Sequence, residues 1–229
     1  MGKLMNKKWL AFSIILAFAG TSSLLHAEGN SDEGKEKSAS CVSCHGEHGN
    51  SMVSTFPKLA QQHASYLTKQ LHAFKDGTRK DPMMSSLATT LSDADMEDIA
   101  AYYEQQKVSI NTQPKISDDE DDDSQSPAKS EDALKAMLSQ GADLYRNGDL
   151  TREVSACIAC HGPLGEGNQP AAFPSLNAQH ADYLIKALTD FKLGKRSNNP
   201  ENMMHMIAKK MTDEEIKAVA YRISMMHNQ

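Results

Sequence analysis

The sequence predicts an all-α protein built from two copies of one helical domain. Apolar residues recur at helical spacing in several segments, and no segment shows the alternation of apolar and polar residues that marks a strand. In addition, a long series of residues in the first half recurs in the same order in the second half. The period is far longer than the units that build solenoids, so it indicates duplication of a whole domain.

The repeat covers most of both halves. The matched segments are residues 41–46 with 157–162, Gly49 with Gly165, residues 56–59 with 173–176, residues 62–64 with 179–181, Tyr66 with Tyr183, Arg79 with Arg196, and residues 83–84 with 203–204. Because these matches keep the same order and residue types, with only a few inserted residues between them, each half should fold in the same way around the same kind of site.

The amino terminus resembles a bacterial secretory signal peptide. Lys3, Lys7 and Lys8 precede an apolar run over residues 9–19, and Ala27 suits the position before a cleavage site. We therefore assign residues 1–27 as a signal peptide. An uncleaved anchor is the alternative, although the run is short for a membrane span.

Two domains are expected, at 28–113 and 131–229, joined by an acidic linker at 114–130. The linker holds six consecutive acidic residues at 118–123 and almost nothing apolar, so it cannot bury enough surface to order itself. Removing residues 1–27 takes away three lysines and no acid, which lowers the formal charge of −6 by three. An acidic chain of this kind argues against nucleic acid as a partner and favours basic docking surfaces.

Each domain should contain the same helices. Apolar periodicity predicts helices over 63–76 and 180–192, which stop at Gly77 and Gly194, respectively. Ser92 with Asp95, and Thr212 with Glu215, have the spacing of capping boxes that open a further helix. A longer helix is predicted over 130–146, and its counterpart before Cys41, at 34–39, is shorter and less apolar.

All four cysteines of the chain lie in two C-x-x-C-H motifs, which are typical of covalent haem attachment. The motifs assign Cys41 and Cys44 to one haem, and Cys157 and Cys160 to another, with His45 and His161 as the respective iron ligands. Two intervening residues let both thiols reach the vinyl groups on one porphyrin edge. A four-cysteine zinc site or a redox dithiol would not explain a histidine directly after both pairs.

The sixth iron ligand distinguishes a carrier from an enzyme, and a methionine pair recurs at the same place in both repeats. We expect this pair to lie on a loop before the capping box, with Met84 and Met204 as ligands, and Met83 and Met203 as alternatives. His63 and His180 also recur and are rival ligands, but their position at the start of an amphipathic helix favours a structural role.

Other recurring residues suggest supporting roles around the haems. The carbonyl of Pro57 or Pro174 could accept a hydrogen bond from the ring N–H of the iron-ligating histidine, as an alternative to a simple turn proline. Arg79 and Arg196 recur, as do Tyr66 and Tyr183. These four side chains could form charge-assisted hydrogen bonds with the haem propionates.

These motifs resemble the di-haem cytochromes c of the cytochrome c4 family over nearly all of the chain that follows the signal peptide. The resemblance implies two tandem class I cytochrome c domains, each with one covalently bound haem and His/Met iron, and with neighbouring haem edges. It also implies a periplasmic carrier between a quinol-oxidising complex and a terminal oxidase or reductase, with peripheral membrane association. Three features depart from the family: the long acidic insert, the lack of a counterpart to Tyr145 in the first helix, and Arg222 in place of Tyr102.

The leading hypothesis is therefore outer-sphere electron transfer by a protein that is not an enzyme. Two alternatives remain at this point. A di-haem peroxidase-like enzyme needs an open or displaceable iron ligand, and a methionine candidate in both repeats speaks against it. A cytochrome subunit of a dehydrogenase complex would have the same sequence features.

Overall fold

The computed structural model describes residues 29–112 and 127–227 as two helical units. The predicted signal peptide and most of the predicted acidic linker lie outside these ranges. Within them the chain forms helices and loops with two isolated β-bridges and no β-strand, as predicted. None of the helices in the described ranges has both the length and the apolar character needed to cross a bilayer.

The two units contain the same order of helices. The first unit has α1 (Ser31–Lys37), α2 (Val42–His45), α3 (Ala64–Lys75), α4 (Pro82–Ala88) and α5 (Asp93–Glu104). The second unit has α6 (Pro127–Asn147), α7 (Ile158–His161), α8 (Ala181–Lys192), α9 (Met203–Ala208) and α10 (Asp213–Ser224). Helix α6 begins inside the segment predicted as linker, and the other predicted helices lie close to their expected bounds.

Both predicted capping boxes are present. The Ser92 hydroxyl accepts from the Asp95 backbone N–H, and the Asp95 carboxylate accepts from the Ser92 backbone N–H. Thr212 and Glu215 make the same reciprocal pair at the start of α10. These bonds satisfy backbone donors that have no partner within a helix, and they fix where α5 and α10 begin.

The first and last helices of each unit cross at a glycine. A Cβ added at Gly34 would lie 1.9 Å from the Asp98 carbonyl oxygen, and one added at Gly141 would lie 2.1 Å from that of Ala218. Only glycine permits so close a backbone approach. Gly34 and Gly141 are therefore equivalent, which shows that residues 148–156 are an insertion between α6 and the second haem motif.

Arg152 in this insertion pairs with Asp149 and with both carboxylate oxygens of Glu215, the capping-box acid of α10. In the first unit Lys37 contacts Asp95, the corresponding acid of α5, at 3.0 Å. Each unit thus places one cation against the amino terminus of its last helix.

Candidate haem-binding site

In each motif the first cysteine is the N-cap residue of a short helix, and this helix carries the second cysteine and the histidine and ends at a glycine. Helix α2 carries Cys44 and His45 and is followed by Gly46 at φ 76°, and α7 is followed by Gly162 at φ 77°. Because this backbone conformation is strained for other residues, the glycine lets the chain turn away directly after the histidine. None of the four cysteines is in a disulfide.

The imidazoles of both motifs are buried and oriented by a proline carbonyl. The His45 Nδ1 lies 2.9 Å from the Pro57 oxygen, and the His161 Nδ1 lies 3.0 Å from the Pro174 oxygen. Since a carbonyl only accepts, Nδ1 carries the hydrogen and Nε2 keeps its lone pair for a metal. Burial lowers the pKa of both rings, which favours the neutral form that ligates iron.

The repeated Phe-Pro-x-Leu segment builds this proximal wall. The Phe56 ring lies edge-on to His45 with centroids 6.5 Å apart, and Leu59 packs against the core of the first unit. The Leu59 backbone N–H donates to the Gly49 carbonyl at 2.8 Å. Phe173, Leu176 and Gly165 repeat these contacts in the second unit. The motif therefore holds the proline carbonyl beside the histidine.

The methionine pairs lie on short helices, so the expectation of a loop was wrong. Asp81 accepts hydrogen bonds from the backbone N–H groups of Met83 and Met84, which starts α4 with a proline in its first turn. In the second unit Asn199 accepts from the Met204 backbone N–H. The Asp81 cap fixes the start of α4, whereas Asn199 lies one short turn before α9 and is not its N-cap residue. Helical periodicity alone does not reveal such side-chain bonds.

One cavity of about 1780 Å³ joins the two units. The cysteines and histidines of both motifs and both methionine pairs line it, namely Cys41, Cys44, His45, Met83, Met84, Cys157, Cys160, His161, Met203 and Met204. Its volume exceeds the range of roughly 300–1,000 Å³ that is usual for a pocket holding one small ligand. The cavity, the two pairs of thiols on its wall and the buried imidazoles fit two haem groups.

His63 and His180 serve the interface between the units. The His63 Nε2 lies 2.7 Å from the Glu166 carbonyl oxygen, and the His180 Nε2 lies 2.9 Å from the Ser51 carbonyl oxygen. Each ring nitrogen that faces the other unit is therefore engaged by a backbone acceptor. This arrangement agrees with the structural role predicted for both residues.

Two glutamines form a reciprocal clamp between the proximal loops. The Gln62 amide donates to the Ser175 carbonyl and accepts from the Ser175 N–H, both at 2.8 Å. Gln179 makes the same two bonds with Lys58, both at 2.9 Å. The two glutamines recur in the sequence, but recurrence alone does not identify a partner in the other unit.

Two arginines also bridge the units beside the cavity. Arg79 donates to the Tyr183 hydroxyl at 3.1 Å, and Arg196 donates to the Tyr66 hydroxyl at 2.9 Å. Both guanidinium groups also bond to Gln70 Oε1 at 2.9 Å. Each arginine thus bonds to the tyrosine of the other domain and not to the tyrosine of its own domain. The sequence did not predict this contact between the domains.

Two helical units, each with a C-x-x-C-H helix and a proximal carbonyl, define a di-haem c-type cytochrome. The family model described as "Cytochrome c" matches residues 31–107 and 138–224. Cytochrome c4 of Pseudomonas aeruginosa is 39% identical over 224 residues, which cover 97% of this chain and 100% of that protein. The "Thiosulfate dehydrogenase electron acceptor" of Stutzerimonas stutzeri is 36% identical over 184 residues, with 79% of this chain and 76% of that protein covered.

Among solved structures, reduced recombinant cytochrome c4 from Pseudomonas stutzeri matches with a TM-score of 0.76 at 37% identity. The match covers 87% of this chain and 100% of that one. The chain therefore belongs to the cytochrome c4 family of electron-transport proteins, and it has two tandem cytochrome c domains with two covalently attached haem c groups.

Proposed function

We propose that this protein is exported to the bacterial periplasm and carries single electrons from a quinol-oxidising complex to a terminal oxidase or reductase. Residues 1–27 would direct export, and the protein would not turn over a substrate. The observation that carries this proposal is the single cavity lined by both haem motifs. Two adjacent redox groups in one molecule let an electron enter through one domain and leave through the other.

His45 with Met84, and His161 with Met204, are the proposed iron ligands. The Met83 side chain is 52% exposed, whereas Met84 is only partly exposed, which favours Met84 in the first domain. When bound, each haem supplies reversible one-electron chemistry at its iron, and a thioether ligand raises the reduction potential. If these histidine and methionine side chains hold both irons, the protein would offer no coordination site to a substrate.

The arginines would hold the propionate side of the haems. Arg79 lies 4.5 Å over the Phe74 ring, and Arg196 lies 4.5 Å over the Phe191 ring, so each guanidinium has a fixed orientation. Because each also reaches a tyrosine of the other domain, a propionate bound there would contact both domains. This contact would help to keep the two haem edges close together.

The acidic linker at 114–130, between the domains at 28–113 and 131–229, contributes a high negative charge. Basic docking surfaces on redox partners would be attracted to it in brief encounters, and peripheral membrane association would bring the carrier close to a quinol-oxidising complex. Such electrostatic attraction weakens with salt, so partner reduction rates should fall as ionic strength rises.

Optical spectroscopy of the purified ferric protein tests the ligand assignment. Met84→Ala and Met204→Ala should each remove one half of the weak far-red absorption that marks sulfur bound to ferric haem, and each should allow cyanide to bind one haem rapidly. Met83→Ala and Met203→Ala are the matched controls and should change neither property. Rapid cyanide binding to both haems of the unmutated protein would contradict a closed electron carrier.

The alternative is a cytochrome partner of a dehydrogenase, and one named relative, an electron acceptor of thiosulfate dehydrogenase, favours it. A stable complex with a dehydrogenase, isolated together with this protein from the native membrane and periplasm, would support that role. Peroxide turnover by the purified protein would instead indicate the peroxidase-like enzyme.

A further inference from the structure

Lys58 is a buried lysine at the junction of the two domains, and only 4% of its surface is exposed. Its Nζ donates to the Ser109 carbonyl at 2.6 Å and to the Asn111 Oδ1 at 2.7 Å. Both partners are neutral, and within the described ranges Nζ forms no ion pair with a carboxylate. An ammonium group in this position keeps most of its electrostatic effect on its surroundings, because solvent reaches little of the residue and no described carboxylate pairs with it.

The position of Lys58 connects it to one haem. It directly follows Pro57, whose carbonyl accepts the hydrogen bond from His45, and it is one of the residues that line the cavity. The corresponding residue in the second domain is Ser175, which follows Pro174 in the same way. The Ser175 hydroxyl bonds to Asn177 Oδ1 at 2.8 Å and carries no charge. The two proximal loops are thus alike in geometry but differ by one buried positive charge.

We propose that Lys58 is a redox-tuning residue that raises the reduction potential of the first-domain haem and couples its reduction to a proton. This inference rests on the proposed function, since it requires that both haems exchange electrons reversibly. An electron delivered by a redox partner to the haem that the first domain would hold would remove one positive charge from the cavity that Lys58 helps to line. The ammonium form is then more favourable, so Lys58 Nζ takes up a fraction of a proton from solvent in the same step.

The proton affinity of Lys58 suits this role. Burial lowers the pKa of its ammonium group from 10.5 to about 8, so the charge is lost in mildly alkaline solution. The titratable group that faces it is His180, the N-cap residue of α8, whose pKa is lowered by burial and by Lys58 itself. Asp182, in the first turn of α8, acts on His180 with the opposite sign. His180 is therefore neutral over the range in which Lys58 titrates, and Lys58 remains the group that responds.

The test is a redox titration of the holoprotein at pH values from about 6 to 10. Nuclear magnetic resonance follows the methionine ligand signal of each reduced domain, and the methionine variants described above assign these signals. At constant applied potential, the reduced fraction of the first haem should fall as pH rises through the titration of Lys58. The second haem should respond much less.

Two substitutions separate charge from packing. Lys58→Met should lower the ratio of reduced to oxidised first haem on the order of tenfold below pH 7, the size expected for one buried charge, and should abolish the pH response. Lys58→Arg should keep the high ratio without titrating in this range. Lys107→Met removes an exposed lysine of the same domain and should change the ratio little.

Three results would overturn this inference. Lys58→Met could leave the first haem unchanged, it could shift both haems equally, or Lys58→Arg could retain the pH response of the unmutated protein. A failure of the proposed function would look different, because the unmutated protein would then lack reversible one-electron titration or the far-red absorption of both haems.

Discussion

Ser38 in the first domain and Tyr145 in the second occupy equivalent positions, four residues after the glycine at each helix crossing. Both are buried, with 1% and 0% of their surfaces exposed. Tyr103, at the end of α5, lies beside Ser38 and packs against Cys41, whereas its own counterpart in α10 is Ile223. The aromatic ring beside the first cysteine therefore comes from the last helix, α5, in the first domain and from the first helix, α6, in the second domain. This difference explains why the first helix of the first domain has no aromatic residue at this position.

The equivalence of Ser38 and Tyr145 can be tested by giving the first domain the residues that the second domain has at both positions. Tyr103→Ile should destabilise the first domain by roughly 2–3 kcal/mol, because it leaves a cavity beside a small serine. Adding Ser38→Tyr to that variant should recover much of the loss, since it restores the arrangement of the second domain. The free energy of unfolding of the single and double variants forms a double-mutant cycle.

Ser38→Tyr alone is the informative control in this cycle. It places a second ring next to Tyr103 and should destabilise the domain by overpacking. If the penalties of the two substitutions simply add, the aromatic rings of the two domains do not occupy equivalent space.

The different origin of this aromatic ring in the two domains also shows which features the sequence could predict. The helices, the capping boxes and the recurring proximal segment were predicted because each depends on residues close together in the chain. The equivalence of Ser38 and Tyr145 could not be predicted, because the insertion at 148–156 shifts the alignment of the two repeats upstream of the second haem motif. The partners of Gln62 and Gln179 could not be predicted either, since each lies in the other domain.

The acids paired with Lys37 should make the first domain sensitive to acid. Hydrogen bonding from Ser92, followed by Lys37, lowers the pKa of Asp95 from 3.8 to about 2, and Lys37 also lowers that of Asp98. A lowered pKa stabilises the fold above the ordinary pKa, and this contribution disappears as pH falls from about 4 to about 2. Lys37→Met should therefore move acid unfolding of the first domain to higher pH.

Backbone amide resonances measured along an acid titration would report the two domains separately. Lys35→Met changes an exposed lysine of the same helix and should leave the midpoint unchanged. Arg152→Met should act in the second domain alone, because Arg152 lowers the pKa of Glu215 in the same way. An unchanged first-domain midpoint in Lys37→Met would show that the ion pairs contribute nothing to acid stability.

The glutamine clamp should determine how firmly the two domains are held together. Each glutamine satisfies one N–H and one carbonyl of the residue that follows a proximal proline, and both glutamine side chains are buried. Gln62→Ala leaves the Ser175 backbone groups without these partners, at a cost of about 1–3 kcal/mol for each buried unsatisfied group. We expect the domains to separate for part of the time, which would increase the radius of gyration measured by small-angle X-ray scattering.

Gln62 and Gln179 make the same contacts, so Gln179→Ala should have a similar effect and the double variant a larger one. Gln140→Ala alters an exposed glutamine of α6 and should leave the scattering profile unchanged. The His45 and His161 contacts to the proline carbonyls lie within single domains, so each haem should keep its absorption spectrum even when the domains separate. Electron exchange between the haems should then slow while each haem still accepts an electron, because the clamp acts on the distance between the domains rather than on either iron. Unchanged scattering and unchanged exchange in the double variant would show that the remaining contacts across the interface, among them those of the histidines, arginines and tyrosines, hold the domains together without the clamp.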